Sequence, residues 1–112
     1  MNGIGFDEMQ RLQKELQDKY RNLWPPCGPD EARSKLLWMM IEAGEAADVI
    51  KKEGDAAILE KGEARARFTE EMCDVLMYLN DVLICYGIEP DEMERAYYAK
   101  HERNMHRWEN AE

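Results

Sequence analysis

Histidine is scarce in this 112-residue chain, and that scarcity closes one route at once. The two histidines, His101 and His106, have Tyr98 and Arg103 three positions before them, so the ExxH pairs that a di-iron carboxylate bundle needs are absent. Cysteine is nearly as rare. Cys27, Cys73 and Cys85 are odd in number and form no CxxC, which argues against a disulfide framework and against a thiolate metal site. Cys73 and Cys85 fall inside helical patterns and are expected to pack as small apolar side chains. No apolar run approaches the roughly 20 residues that cross a bilayer, and MNGIGFDEMQ lacks the regions of a signal peptide. No membrane partner and a cytoplasmic location are expected. Bases are outnumbered, 15 against 24 acids for a formal charge of −9, and no Lys or Arg cluster is dense enough to follow a phosphate backbone. Nucleic acid is therefore not an expected partner.

Strand-like alternation, internal repeats and low-complexity tracts are missing as well; helical periodicity is what is present. Phe6, Met9, Leu12, Leu16, Tyr20 and Leu23 recur at three- and four-residue steps, predicting an amphipathic helix over 6–23 with Glu, Gln, Lys and Arg on its outer side. WPPCGP (24–29) breaks it. Asp30 and Glu31 then place negative charge in the first turn of a second helix that runs to about Lys52, with Gly54 as its stop. Residues 55–64 read as a loop or a short solvent-side helix. A third helix, from about Ala66 to Tyr86, is apolar on most sides and ends at Gly87; a fourth starts at Pro90 and continues to about Trp108. Residues 1–112 thus make one all-α domain, an antiparallel four-helix bundle-like arrangement with short connections.

Acids border the stripes that such a bundle must bury. Glu42 and Glu45 lie about 60° apart on the second helix, with Trp38 one turn earlier. Glu71 and Asp74 share a face of the third helix with Tyr78 and Asp81. If the two helices pack antiparallel through these borders, four carboxylates converge, and they need a counter-charge because burying them unpaired exceeds a domain's stability. Hard oxygen ligands with few histidines point to magnesium or manganese, which recruit phosphate oxygens to complete their shell. Lys100, Asn104 and Arg107 line one face of the fourth helix and suit phosphate oxygens beyond the metal's reach. Trp38 and Tyr78 are candidates to border a base or sugar. Asp48 and Asp81 are equally suited to hold a neighbouring Lys or Arg.

These residues resemble the MazG-like all-α nucleoside triphosphate pyrophosphohydrolases, relatives of the dimeric dUTPases and phosphoribosyl-ATP pyrophosphohydrolases. The ExxE…ExxD signature stands here as Glu42-Ala-Gly-Glu45 and Glu71-Met-Cys-Asp74, followed by a KxxxNxxR tail from Lys100 to Arg107. The likeness spans residues 34–108; residues 1–33 carry no diagnostic motif. It implies hydrolysis of a nucleoside triphosphate between the α and β phosphates, with Glu42, Glu45, Glu71 and Asp74 holding Mg2+ (or Mn2+). It also implies Glu42 or Glu70 as general base and a homo-dimer or homo-tetramer with pockets near chain interfaces. A rival from another class is a non-catalytic acidic helical adaptor, which accounts for the net charge but not for acids placed beside buried stripes.

Overall fold

Glycine and proline divide the chain into its helices. The computed structural model describes residues 3–109, and within them every regular element is helical: α1 (Phe6–Lys19), α2 (Pro29–Glu53), α3 (Asp55–Leu59), α4 (Glu63–Cys85) and α5 (Pro90–His106). Pro29 and Pro90 occupy the first helical turn, where a missing N–H is no loss, and acids follow each of them. Gly87, at φ 70°, closes α4: its N–H donates to the Ile84 carbonyl (3.0 Å) and the Ile88 N–H to the Leu83 carbonyl (2.8 Å). That pair of bonds satisfies two carbonyls the helix would otherwise leave open.

The boundaries shift where side chains intervene. α1 stops at Lys19 and not at residue 23, because the Leu23 and Trp24 N–H groups both donate to the Tyr20 carbonyl (2.9 Å each). The resulting turn lays Trp24 against Tyr20, ring centroids 4.8 Å apart. α5 ends at His106, two residues before Trp108. Part of the undecided 55–64 segment is the five-residue α3.

α2 and α4 pack antiparallel, as the pairs that meet across them demonstrate: Lys35 with Asp81, Trp38 with Tyr78, Glu42 with Glu71, and Glu53 with Arg67. α1 lies along α4, where Asn80 Nδ2 sits 3.6 Å from Met9 Sδ, and α5 packs on α1 alone among the described helices. The expectation that glutamines of the first helix face outward is corrected here. Gln10 and Gln13 are buried, Gln10 donating to the Ile88 carbonyl (3.1 Å), while Leu12 and Leu16 are exposed. Polar side chains are tolerated in this seam because α4 and the turn that follows it offer them partners, Asp81 for Gln13 and the Ile88 carbonyl for Gln10.

The cysteine reading also needs correction. Cys27 and Cys85 form a disulfide, Cα atoms 4.8 Å apart, and Cys73 is exposed. The antiparallel register carries residue 27 to the end of α4, a proximity that spacing along the chain does not reveal. The bond pins the WPPCG loop to the bundle, and such bonds are scarce in reducing compartments.

The interior is thin. Among the described residues the buried apolar ones are Ala32, Ala46, Ala64, Leu83 and Cys85, whereas Met72, Leu76 and Met77 of α4 and Leu36, Leu37, Met40 and Ile41 of α2 are exposed. The chain leaves 8846 Å² accessible, against about 6,400 Å² for a folded monomer of this mass. Its radius of gyration, 17.0 Å, exceeds the ~13 Å of a compact domain of this length.

With so small a core, the cross-link carries weight. Closing a separation of 58 residues restricts the unfolded chain by about 4 kcal/mol in the loop-entropy account. Cys27→Ser, or a thiol reductant, is expected to lower the melting temperature by several degrees, with reductant having no further effect on the variant. A parent that melts identically with and without reductant would contradict a stabilising role for this bond.

Candidate functional site

The antiparallel seam brings the two acidic edges together. Glu42 and Glu45, one turn apart on α2, face Glu71 on α4, and one carboxylate oxygen from each lies within 4.8 Å of the others. Glu45 is exposed and the other two are half-buried. Asp74 stands close enough for its charge to act on both Glu42 and Glu71.

Crowding of like charges has the expected effect on the protons. Burial, then hydrogen bonding to Glu71 and Glu45, then the charges of Glu45 and Asp74, push Glu42 up to about 7. At Glu71 the hydrogen bond from Glu42 acts downward. Burial and the charges of Glu45 and Asp74 outweigh it, so that carboxyl is raised too. The same crowding thus displaces both carboxyls upward. Glu71 Oε2 is buried with no hydrogen-bond partner, an arrangement that calls for a cation or a donor from outside the chain.

Beside the acids opens a cleft of about 420 Å³, lined by Glu42 and Asp74 at one end and by Gln13, Gln17, Lys35 and Asp81 at the other. Its walls include Trp24, Trp38 and Tyr78, with Leu16, Pro25, Met77 and Glu31 beside them. Trp38 meets Tyr78 edge to face at 6.2 Å, and burial raises the Tyr78 hydroxyl pKa, assisted by the charges of Glu42, Asp81 and Asp74. Trp38 is half exposed, so neither ring is sealed into an aliphatic core.

Other candidates lie elsewhere. Glu70 is exposed in a shallow depression with Arg65, Thr69 and Cys73, outside the grouped carboxylates. Lys100, Asn104 and Arg107 do share a surface, together with Arg103 and His106. That surface is on α5, which reaches neither α2 nor α4. Asp48 pairs with Lys52 at 2.9 Å and Asp81 with Lys35 at 3.4 Å. Sequence reasoning overlooked Gln13, Gln17, Trp24 and Lys35. The available signal was the i, i+4 spacing of the two glutamines within an amphipathic helix, which puts both on one face.

No family model, curated protein or solved structure matches the chain.

The raised Glu42 carboxyl has a pH signature. Its folded pKa lies above the model-peptide value of 4.5, so the folded state binds more protons than the unfolded one between those limits. The stability it contributes is fully present below about pH 4.5 and is lost as pH rises through about 7. In chelator, the melting temperature of the parent is expected to fall more steeply from pH 5 to pH 8 than that of Glu42→Gln. Equal slopes would mean that Glu42 titrates as an ordinary carboxyl.

Proposed function

We propose that this chain is a divalent-metal-dependent nucleoside triphosphate pyrophosphohydrolase of MazG-like type, releasing a nucleoside monophosphate and pyrophosphate. One observation carries the reading: acids from two helices converge on Glu71, whose buried Oε2 has no partner, and the neighbouring Glu42 and Asp74 line an aromatic-walled cleft. Glu42, Glu45 and Glu71, with Asp74 beside them, are the residues that hold Mg2+ or Mn2+; the carboxylate donor set suits hard ions. When bound, such an ion neutralises phosphate charge and makes water more acidic. The cleft's volume falls in the range of nucleotide-sized ligands and its rings offer flat surfaces to a base.

The chain's own residues then divide the chemistry. Water attacks phosphorus, the bridging P–O bond breaks, and pyrophosphate departs with the bond's electrons; the water's proton passes to a carboxylate oxygen. Glu42 stands within the carboxylate cluster and lines the cleft, whereas Glu70 is exposed outside both, which favours Glu42 over Glu70 as general base. Trp38 and Tyr78 border the base or sugar.

A second copy of the chain completes this reading. The excess accessible area, roughly 2,400 Å², is more than a standard interface takes from one partner. Leu37, Met40, Ile41 and Gly44 form one continuous exposed face of α2, and a Cβ at Gly44 would meet nothing within the chain. Glycine there weakens the helix by about 1 kcal/mol relative to alanine, a loss that close approach of another backbone offsets. In such a homo-dimer or homo-tetramer, Lys100, Asn104 and Arg107 serve phosphate binding from a neighbouring subunit. The Cys27–Cys85 disulfide weighs against the cytoplasmic location expected from the sequence, so no compartment belongs to this proposal.

Three measurements test it. Pyrophosphate release from mixed nucleoside triphosphates is expected only with Mg2+ or Mn2+, and Glu45→Gln is expected to reduce it on the order of 100-fold by misplacing the phosphates. The same ion is expected to stabilise the folded parent by about 2.7 kcal/mol at 100 times its dissociation constant, and Glu45→Gln less. Absence of both effects would favour the acidic adaptor. Separately, light scattering is expected to give a multiple of 13.2 kDa, and Met40→Glu to shift the population toward the single-chain mass. A parent of single-chain mass at micromolar concentration would remove the second copy from the site.

A further inference from the structure

At the end of the cleft away from the acidic cluster, a buried carboxylate organises three other side chains. Asp81 is among the least exposed residues of the protein, with 5 % of its surface accessible. Its Oδ1 accepts from Gln13 Nε2–H (2.9 Å) and from Gln17 Nε2–H (3.0 Å), and its Oδ2 faces Lys35 Nζ at 3.4 Å. Lys35 is itself fixed between rings, 5.6 Å from the Trp24 centroid and 5.7 Å from that of Tyr78. A buried acid stapled to a single lysine needs no glutamines, and two glutamines in a helix seam need not converge on one oxygen. Together they specify orientation.

The chemistry of the carboxamide shows what that orientation does. An amide held by one N–H of its nitrogen has its NH2 end turned to the carboxylate and its Oε1 end turned away. Each glutamine retains a second N–H and the Oε1 carbonyl, an adjacent donor and acceptor. Gln13 and Gln17 are one turn apart on α1, and both line the cleft that Trp24, Trp38 and Tyr78 wall. Flat apolar walls with a fixed donor–acceptor pair at the end match a planar heterocycle whose edge carries an N–H beside an acceptor.

We propose that Asp81 is a positioning residue that locks the Gln13 and Gln17 carboxamides to read the donor–acceptor edge of a nucleobase, with Lys35 balancing its charge. This names the selective end of the cleft in the reading above, yet it depends on neither metal nor phosphate. The edge is a lactam, as in uracil, or an amidine, as in cytosine, and methylated probes distinguish them. Asp81 itself does not touch the ligand; it acts through the two amides, so substituting it alters discrimination more than it alters stacking.

The test uses free nucleosides with the full-length protein in chelator, followed by quenching of tryptophan fluorescence, since Trp24 and Trp38 line the cleft. Uridine or cytidine is expected to quench saturably, and N3-methyluridine or N4,N4-dimethylcytidine about tenfold more weakly, the equivalent of one lost hydrogen bond. Asp81→Ala, which removes both acceptor oxygens, and independently Gln17→Met at its half-buried position, are expected to reduce that preference to within about twofold while helical circular dichroism is retained. Equal binding of methylated and unmethylated partners by the parent would overturn the proposal, as would an unchanged preference in a folded Gln17→Met. Saturable, selective nucleoside binding without pyrophosphate release would sink the hydrolase reading alone. Pyrophosphate release without nucleobase discrimination would sink this one alone.

Discussion

Everything distinctive about this protein is arranged along the antiparallel seam of α2 and α4. Charged and aromatic side chains meet there in register: the disulfide at one end, then Lys35 and Asp81, the Trp38–Tyr78 pair, the glutamate cluster, and the Arg67–Glu53 pair at the other end. A seam of this kind is unfavourable on its own terms. Like charges raise one another's pKa, and a carboxylate oxygen is left without a partner. The register therefore persists because the rest of the fold holds it, through the disulfide, the α1 glutamines and the turn at Gly87.

How far these features were legible from the chain depended on the range of the interaction. Proline at the start of α2 and α4's glycine stop are local signals, and helix positions followed from them within a few residues. The carboxylate pairs were legible because three-residue spacing fixes a helix face without knowledge of the partner. Asp81's network was not, since Gln13 and Gln17 are separated from it by more than 60 residues and look like ordinary outer-face polar residues. The Cys27–Cys85 bond was missed for the same reason. The basic face of α5 was foreseen as a surface, but its distance from α2 and α4 is a matter of tertiary packing that periodicity does not encode.

The scarcity of buried large apolar residues and the polarity of the α1–α4 seam belong together. Asn80, with 1 % exposure, keeps its Oδ1 unpartnered, and the α1–α4 cavity near it is lined by exposed Ile4, Leu12, Leu76 and Met77. A chain that surrounds its polar groups so sparingly has little stability to spare, which is the circumstance in which a cross-link, a bound cation or a covering surface has the largest effect.

The connector between the two long helices has a different status from the helices it joins. Pairs that meet across the seam lie at both of its ends, Cys27–Cys85 and Arg67–Glu53, while residues 54–62 carry the chain around and are tied to α4 by the Arg65 guanidinium, which donates to the Ile58 and Leu59 carbonyls. Lengthening that connector by a few residues alters loop-closure entropy by a fraction of a kcal/mol and leaves the α2–α4 pairings in place. One residue inserted into α4 between Glu71 and Asp81 does the opposite. It rotates everything on one side by about 100° relative to the other, so the acids and the Asp81 network no longer open on the same cleft. The spacing between the two acidic motifs is thus free to vary, whereas the spacing from Glu71 to Asp81 is as rigid as the helix itself.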